Sequence, residues 1–185
     1  MNITVFGGSQ PKPGDPAYLE AVRLGALLGK AGHTVLTGGY IGTMEAVSRG
    51  AAEAGGHVIG VTCDEIEAWR STHANPWVQE EWHYATLRER LFTLIDNCQA
   101  ALALPGGVGT LVEIGMTWNQ LIVEALSPRP LILIGPGWKR TFDDFLTNLG
   151  SYVPEHDRRW LTFVATVEEA VKLVEDKGSR IEIRE

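Results

Sequence analysis

Three glycine-rich turns contain the residues best suited to bind a ligand. They cover residues 7–9, 38–43 and 105–110, and each follows a predicted strand. Where a strand passes through glycines into a helix, a phosphate group can approach backbone N–H groups without interference from Cβ atoms. One such turn would indicate only a tight connection, but three at the same edge of a sheet predict a site for a phosphorylated ligand. The residues predicted to bind it are Gly8, Ser9, Gly38, Gly39, Gly42, Thr43, Pro105, Gly106, Gly107, Val108, Gly109 and Thr110.

Glu113 follows the third turn and can be interpreted in two ways. Thr110 and Glu113 have the spacing of a capping box, in which the glutamate accepts a hydrogen bond from the backbone at the helix start. Alternatively, Glu113 lies one turn into a helix whose N-terminus faces the phosphate. A carboxylate there could stabilise a cationic sugar or orient a water molecule. Spacing alone favours the cap over catalysis.

Two arginines are candidates for the same edge of the sheet. Thr86 and Glu89 fit a capping box, and on the helix that they begin, Arg88 and Arg90 both flank the apolar stripe. Either side chain could reach over the sheet edge, and spacing does not choose between them. For each arginine taken separately, a solvated position is the simpler interpretation.

Several familiar chemistries do not fit the sequence. The first turn is not G-x-G-x-x-G, and the second strand ends at Thr37 without the acidic residue that binds a ribose in NAD enzymes. The third turn lacks the lysine of a Walker loop, because Gly109 and Thr110 are followed by Leu111. The sequence also has no Gly-x-Ser-x-Gly elbow for a serine nucleophile. The five histidines are scattered, and none pairs at i,i+4 with another histidine or a cysteine. We therefore predict no metal site.

Apolar runs alternate with helical patterns along the chain. This order predicts a single α/β domain over residues 1–185, with a Rossmann-like, doubly wound, mainly parallel sheet and helices on both faces. Asp15 and Pro16 predict the start of the first helix, and Thr43, Thr86, Thr110 and Thr166 predict the starts of others. The predicted strands are residues 3–6, 34–37, 57–62, 100–104, 130–134 and 161–164.

Composition limits the partners of the protein. The formal net charge of −7 argues against binding to a nucleic acid, which needs a basic surface. The sequence opens on a strand pattern, with no leader or membrane span, so we expect a cytoplasmic protein. Cys63 and Cys98 are expected to be small buried residues and not a redox pair.

The stretch from Cys63 to Ala85 is rich in tryptophan and shows no regular period. Because it leaves the carboxyl end of the third predicted strand, it could be a lid over a ligand. It could equally be a surface loop whose tryptophans pack on the body or on a second subunit. The sequence leaves both interpretations open.

The run PGGVGTLVE, from Pro105 to Glu113, resembles the PGGxGTxxE motif of the LOG (Lonely Guy) family, which also carries a lysine decarboxylase label. The resemblance covers nearly the whole chain. None of the lysines lies in a glycine turn, so the decarboxylase label, which implies a Schiff-base lysine, has little support. The segments that resemble the family's first strand, first helix, second glycine loop and third strand are residues 5–9, 15–28, 38–46 and 54–61.

The resemblance implies a hydrolase that cleaves the N-glycosidic bond of a nucleoside 5′-monophosphate, of the AMP or cytokinin riboside monophosphate type. The products would be a free base and ribose 5-phosphate, and no cofactor is implied. The family's catalytic pair is an arginine from an M-H-x-R element and the last glutamate of PGGxGTxxE. Carried over, these residues are Arg90 and Glu113.

Short members of the family are homodimers, so the resemblance also implies a second subunit. The apolar face of the helix that follows Thr110 could form the contact, although packing in the core is at least as good an interpretation. The residues of that face are Met116, Trp118, Leu121 and Ile122.

Three positions depart from the family pattern. The element before Arg90 lacks the methionine and the histidine, Val112 replaces a second glutamate, and Glu45 stands where many members have glycine. These departures leave the base specificity open. The alternative function is a non-catalytic carrier of a nucleotide or of molybdenum cofactor, using the same loops.

Overall fold

The computed structural model describes the backbone of residues 1–181 and the side chains of residues 1–176. One parallel sheet runs through it, in the strand order β4-β3-β2-β1-β5-β6-β7. The strands are β1 Asn2–Phe6, β2 Thr34–Thr37, β3 Val58–Cys63, β4 Glu80–Tyr84, β5 Ala100–Ala103, β6 Leu131–Ile134 and β7 Leu161–Val164. The helices are α1 Pro16–Lys30, α2 Thr43–Glu53, α3 Asp64–Arg70, α4 Leu87–Asp96, α5 Val108–Ile122, α6 Pro136–Leu149, α7 Glu155–Arg158 and α8 Val167–Ile181.

The strand order reverses between β1 and β5. The strands β1 to β4 follow one another towards one edge of the sheet, and β5 lies on the other side of β1. Ile3 pairs with Ala100 and Phe6 pairs with Ala103, so the carboxyl ends of the two strands lie side by side. In an open α/β sheet this switch point is where ligands bind, because the loops that leave the two strands diverge to opposite faces.

Each face of the sheet is covered by its own apolar cluster. On one face, α1, α2 and α8 pack on alternate residues of the central strands, such as Ile3 and Val5. On the other face, α4, α5 and α6 pack on the intervening residues, such as Phe6 and Leu36. Since neighbouring strand residues point to opposite faces, the central strands are largely apolar on both faces, with Thr4 and Thr37 as buried polar exceptions. The doubly wound fold predicted from the sequence is confirmed.

All six predicted strands are present, and a seventh was missed. The unpredicted β4 lies at the edge of the sheet, where Glu81 and His83 are exposed and Trp82 is half-buried. An edge strand with charged residues gives only a weak apolar pattern, which explains the omission. The helices α3 and α6 were not predicted either.

Helix starts were predicted with mixed success. The capping box of Thr86 and Glu89 at the start of α4 is confirmed. Asp15 occupies the N-cap position of α1, but its carboxylate accepts a hydrogen bond from the backbone of Lys12 and does not cap the helix. The capping box of Thr110 and Glu113 is wrong. Helix α5 already begins at Val108, so Thr110 is inside it.

The stretch from Cys63 to Ala85 folds into α3, a connecting segment and β4. The side-chain amide of the buried Asn75 donates hydrogen bonds to the carbonyl oxygens of Gly39 and Tyr40, so this stretch is fastened to the second glycine turn. Cys63 and Cys98 are both buried, as predicted, and neither forms a disulfide. Within the described residues, no helix combines the length and apolar character that spanning a membrane requires.

Candidate functional site

The three glycine turns meet at the switch point of the sheet. The N–H of Gly8, after β1, donates to the carbonyl oxygen of Pro105, after β5, over 3.1 Å. The carbonyl oxygen of Gly8 in turn accepts from the N–H of Thr43, at the start of α2, over 2.9 Å. The backbone of Gly8 thus links the other two turns. The clustering that the sequence predicted for these turns is present.

Close packing between the turns explains two of the glycines. Gly42 has φ +73°, and a Cβ atom there would lie 2.6 Å from the Cα of Ser9. A Cβ atom on Gly106 would overlap with the hydroxyl of Thr110, which is buried. Only glycine allows the chains to approach this closely. The backbones of Ser9 and Gly42 are therefore packed directly against each other.

The turn after β5 is open on its outer side. Residues 105–109 are exposed, and a Cβ atom on Gly107 or Gly109 would meet no atom of another element within 4 Å. Gly107 is the N-cap of α5, and among the residues whose side chains are described none bonds to the first N–H groups of that helix. A helix start with free N–H groups and no covering side chains can take an anion. This is the part of the site best suited to a phosphate.

Arg90 enters the site from α4 and is 6% exposed. Its Nε donates to the carbonyl oxygen of Val61 over 2.8 Å, and its Nη2 donates to the carbonyl oxygen of Gly38 over 3.1 Å. The guanidinium also lies over the ring of Tyr40, 5.6 Å from the centroid. These contacts fix the plane of the guanidinium against the second glycine turn. In the described part of the chain, no hydrogen bond from Nη1 to a protein atom is formed.

Arg88, the other candidate, is exposed and lies over the ring of Phe92. The two arginines are two residues apart on α4 and therefore point in different directions. The structure thus chooses between side chains that helical spacing left equivalent. Only Arg90 reaches the carboxyl edge of the sheet.

Glu113 lies in the second turn of α5 and is half-buried. Burial raises the pKa of its carboxyl group to about 7, and the positive charge of Arg90 acts in the opposite direction. The two residues of the predicted pair are therefore within electrostatic reach of each other. A carboxyl group with a pKa near neutrality can donate or accept a proton at physiological pH.

The second glycine turn is occupied by the protein itself. Gly38, Gly39 and Thr43 are buried, Gly39 has φ +77°, and its Cβ position is blocked by the Thr62 methyl group. The carbonyl of Gly38 is bonded to Arg90 and the N–H of Thr43 is bonded to Gly8. These residues, predicted to bind the ligand, hold Arg90 and the neighbouring turn in place.

The sequence analysis missed Tyr40 and Met44. The hydroxyl of Tyr40 accepts from the N–H of Cys63 over 2.8 Å and donates to its carbonyl oxygen, while the ring lies beneath Arg90. The sulfur of Met44 is 3.8 Å from Nη2 of Arg90. Tyr40 could have been noticed in the sequence because it is a large aromatic residue inside a glycine turn. Met44 gave no signal.

Fold and site together define a Rossmann-like protein with an open helix start at the switch point of its sheet. The model of the SLOG cluster4 family matches residues 1–135. The chain therefore belongs to this family, and several of its curated relatives are LOG proteins, as the resemblance implied.

Two curated rice (Oryza sativa subsp. japonica) proteins are among its relatives. The cytokinin riboside 5′-monophosphate phosphoribohydrolase LOG is 32% identical over 98% of this chain and 75% of its own length. LOGL5 is 34% identical over 66% of this chain, which spans only 50% of that protein.

A bacterial enzyme and a solved structure complete the comparison. The pyrimidine/purine nucleotide 5′-monophosphate nucleosidase of Escherichia coli (strain K12) is 32% identical over 84% of this chain and 37% of its own length. The molybdenum cofactor binding protein of Rippkaea orientalis superposes with a TM-score of 0.74 over 95% of each chain, at 22% identity. At that identity the superposition shows a shared fold.

Proposed function

We propose that this protein hydrolyses the N-glycosidic bond of a nucleoside 5′-monophosphate, releasing a free base and ribose 5-phosphate. The observation that carries the proposal is the position of Arg90. Its buried guanidinium is fixed beside Gly38 and within electrostatic reach of Glu113, close to the open helix start at Gly107. The names of the rice and Escherichia coli relatives support the same reaction class.

The open turn is the part that holds the 5′-phosphate in this proposal. The free N–H groups at the start of α5 bind the phosphate oxygens, and the aligned peptide dipoles of the helix favour the negative charge there. Gly107 and Gly109 leave room for the approach. The phosphate then places the ribose over the second turn of α5, where Glu113 lies.

Glu113 and Arg90 act on the bond itself. Breaking the bond between ribose and base develops positive charge on the sugar, which an ionised Glu113 stabilises. With a pKa of about 7, the same group can also accept a proton from the attacking water. The Nη1 edge of Arg90 faces the ligand and binds the phosphate or the departing base.

Release of the base is the direct test. The purified protein is incubated with AMP, with a cytokinin riboside 5′-monophosphate and with pyrimidine nucleoside monophosphates, and the free base is measured by chromatography. We expect base release from at least one nucleotide. Glu113→Gln and Arg90→Lys should each lower the rate by roughly 10²–10⁴-fold, the range of a lost acid–base or positioning group.

Two matched variants complete the test. Glu124→Gln alters an exposed glutamate just beyond the same helix, and Arg88→Lys alters the exposed arginine of α4. Both should retain the activity of the unmodified protein. A protein that releases no base from any nucleotide but binds a pterin-type cofactor tightly would instead be a carrier.

A homodimer in the cytoplasm is part of this proposal. Helix α5 presents Leu111 and Val112 with nearly half of each side chain exposed, and a cleft between α4 and α5 is lined by Phe92 and Met116. Trp118 and Leu121, two residues considered for the contact from the sequence, are buried in the core of the chain itself. The remaining two, Met116 and Ile122, pack partly against that core.

Light scattering coupled to gel filtration measures the assembly. We expect twice the mass of one chain, and we expect Leu111→Glu to give the single-chain mass. Leu19→Glu changes a leucine on α1, on the other face of the sheet, that is 58% exposed against 45% for Leu111, and should leave the dimer intact. A single-chain mass for the unmodified protein would exclude the dimer.

A further inference from the structure

A second group of chemically active side chains lies at the edge of the sheet, away from the glycine turns. The carboxyl ends of β3 and β4 and the short helix α3 bring Glu67, Glu81 and His83 together. One donor atom from each of these residues lies within 4.8 Å of the other two. We propose that this group binds a divalent transition-metal cation of the zinc class.

The donor atoms are nearly at coordination distance. Nδ1 of His83 is 3.8 Å from Oε1 of Glu67 and 3.7 Å from Oε1 of Glu81. In a tetrahedral zinc site with bonds of about 2.0–2.1 Å, neighbouring donors are about 3.3 Å apart. The two pairs that include His83 therefore need to close by about half an ångström, and the two carboxylate donors lie within 4.8 Å of each other. One imidazole with two carboxylates leaves the fourth position for water.

The imidazole of His83 has the second hydrogen-bond partner that a metal-binding histidine usually has. Nε2 of His83 is 2.8 Å from Oδ1 of Asp64, so the ring nitrogen that does not face Glu67 and Glu81 has a carboxylate partner. Metal-binding histidines commonly donate this second N–H to a carboxylate, which fixes the ring and the tautomer. The aspartate is the first residue of α3, whereas the histidine belongs to β4.

The two carboxylates are held from outside the group as well. The hydroxyl of the buried Thr62 donates to Oε1 of Glu81 over 2.5 Å and lies 2.8 Å from Nδ1 of His83, a contact that a bound ion would replace. The hydroxyl of Tyr40 lies 3.4 Å from Oε1 of Glu67, and His73 Nδ1 lies 3.3 Å from Oε2 of the same residue. The donors are thus positioned by residues of the second glycine turn and of β3.

The charge of the group also favours a cation. Three carboxylates converge here, and in the part of the chain with described side chains their ion-pair partners are histidines, with no lysine or arginine. A bound divalent ion would neutralise most of this negative charge. Imidazole together with carboxylates suits zinc and similar ions better than Mg²⁺ or Ca²⁺, which prefer oxygen donors alone.

Sequence spacing missed this group because its members come from separate elements. His83 has no histidine or cysteine at i,i+4, and Glu67 lies on α3, 16 positions earlier in the chain. The donors come together because β3 pairs in parallel with β4 and α3 follows directly after the end of β3. The prediction of no metal site relied on local patterns only.

Calorimetric titration of tag-free, chelator-treated protein with zinc ions alone tests the proposal. We expect binding of one ion per chain, with weaker binding of Mg²⁺ under the same conditions. His83→Gln and Glu81→Gln should each weaken zinc binding more than about 10-fold. Asp64→Asn keeps every ligand and should weaken it by about 10–100-fold, the usual effect of losing a carboxylate behind a histidine ligand.

His57→Gln is the matched control. His57, just before β3, and Glu80 of β4 form a similar exposed pair, with Nε2 and Oε2 2.9 Å apart, but no third donor among the described residues joins them. This variant should bind zinc as the unmodified protein does. The proposal is overturned if the unmodified protein binds no zinc below about 100 μM, or if His83→Gln binds as tightly as His57→Gln.

The substituted side chains are exposed or half-buried, so the variants should fold normally. Thermal unfolding in the presence of chelator checks this, and all midpoints should agree with that of the unmodified protein. Zinc should then raise the midpoint of the unmodified protein and of His57→Gln, and should leave that of His83→Gln unchanged. An equal rise in all three proteins would mean that zinc binds elsewhere.

Discussion

The turns of residues 38–43 and 105–110 have similar sequences but different surroundings. In the first, the backbone is buried, and a Cβ atom on Gly38, Gly39 or Gly42 would overlap with another part of the protein. In the second, Gly107 and Gly109 face open space at the start of α5. Glycine is needed in the first turn to admit a side chain of the protein, whereas in the second it leaves room that the proposed function assigns to a ligand.

The largest effect is expected from Gly38→Ala. The added methyl group would overlap with Nη2 of Arg90 and would lie 2.6 Å from the sulfur of Met44, so the guanidinium must leave its place. Because misplacement by about 1 Å can cost 10²-fold, we expect kcat/KM for base release to fall at least about 100-fold. Full activity in a folded Gly38→Ala protein would show that the position of Arg90 is unimportant.

Glu113→Gln tests the carboxyl group on α5, just beyond the open turn. The pKa of Glu113 is raised to about 7 in the folded protein, against 4.5 for an ordinary glutamate, because burial disfavours the charged form. The folded state therefore binds this proton more tightly than the unfolded chain does. The contribution of Glu113 to the free energy of unfolding should fall as the pH rises from about 4.5 to about 7, and stay low above.

The difference is measured by denaturant unfolding of both proteins at pH 5 and pH 8. Relative to the unmodified protein, Glu113→Gln should gain about 2 kcal/mol between these two pH values, a figure that allows for partial exposure of the group. Equal pH dependence of the two proteins would mean that Glu113 titrates normally in the fold.

Tyr40→Phe loosens the closed turn without adding any atoms. The substitution removes the hydroxyl that accepts from the N–H of Cys63 and donates to its carbonyl oxygen. Since a buried donor loses its partner, we expect the free energy of unfolding to fall by about 1–2 kcal/mol. Tyr152→Phe changes a tyrosine that is 83% exposed and should have no measurable effect.

Gly109→Ala should have the smallest effect on stability, and in the opposite direction. Gly109 lies in the first turn of α5, where alanine favours the helix, so we expect a gain of about 0.5–1 kcal/mol. In the proposed function the same methyl group faces the phosphate, and KM for the nucleotide should rise. An unchanged KM in the stabilised variant would show that the phosphate does not bind at this helix start.

The zinc-class group beside β4 adds a third arrangement at the same edge of the sheet. The closed turn is satisfied by Arg90 and the open turn presents N–H groups, whereas Glu67, Glu81 and His83 gather negative charge. One sheet edge thus offers a place for an anion and a place for a cation. Tyr40 contacts both Arg90 and Glu67 and lies between them.

Much of the fold followed from patterns that are local in the chain. Apolar runs such as residues 100–104 predicted central strands because a residue buried on either face must be apolar. The edge strand β4 was missed because one of its faces meets solvent and three of its five residues, Glu80, Glu81 and His83, are charged or polar. The capping box of Thr110 and Glu113 failed because its spacing is satisfied equally well inside a helix that begins earlier.

By itself, the sequence determined the doubly wound sheet, the three glycine turns and the family motif that ends at Glu113. Only the tertiary structure decided that Arg90 and not Arg88 enters the site. The guanidinium of Arg90 is held by the carbonyl oxygens of Val61 and Gly38, which lie far away along the chain. Burial against other elements likewise decided the pKa of Glu113, and strand pairing brought His83 to its acidic neighbours. Local spacing fixes the direction in which a side chain leaves its helix or strand, but what it meets there depends on the packing of the whole chain.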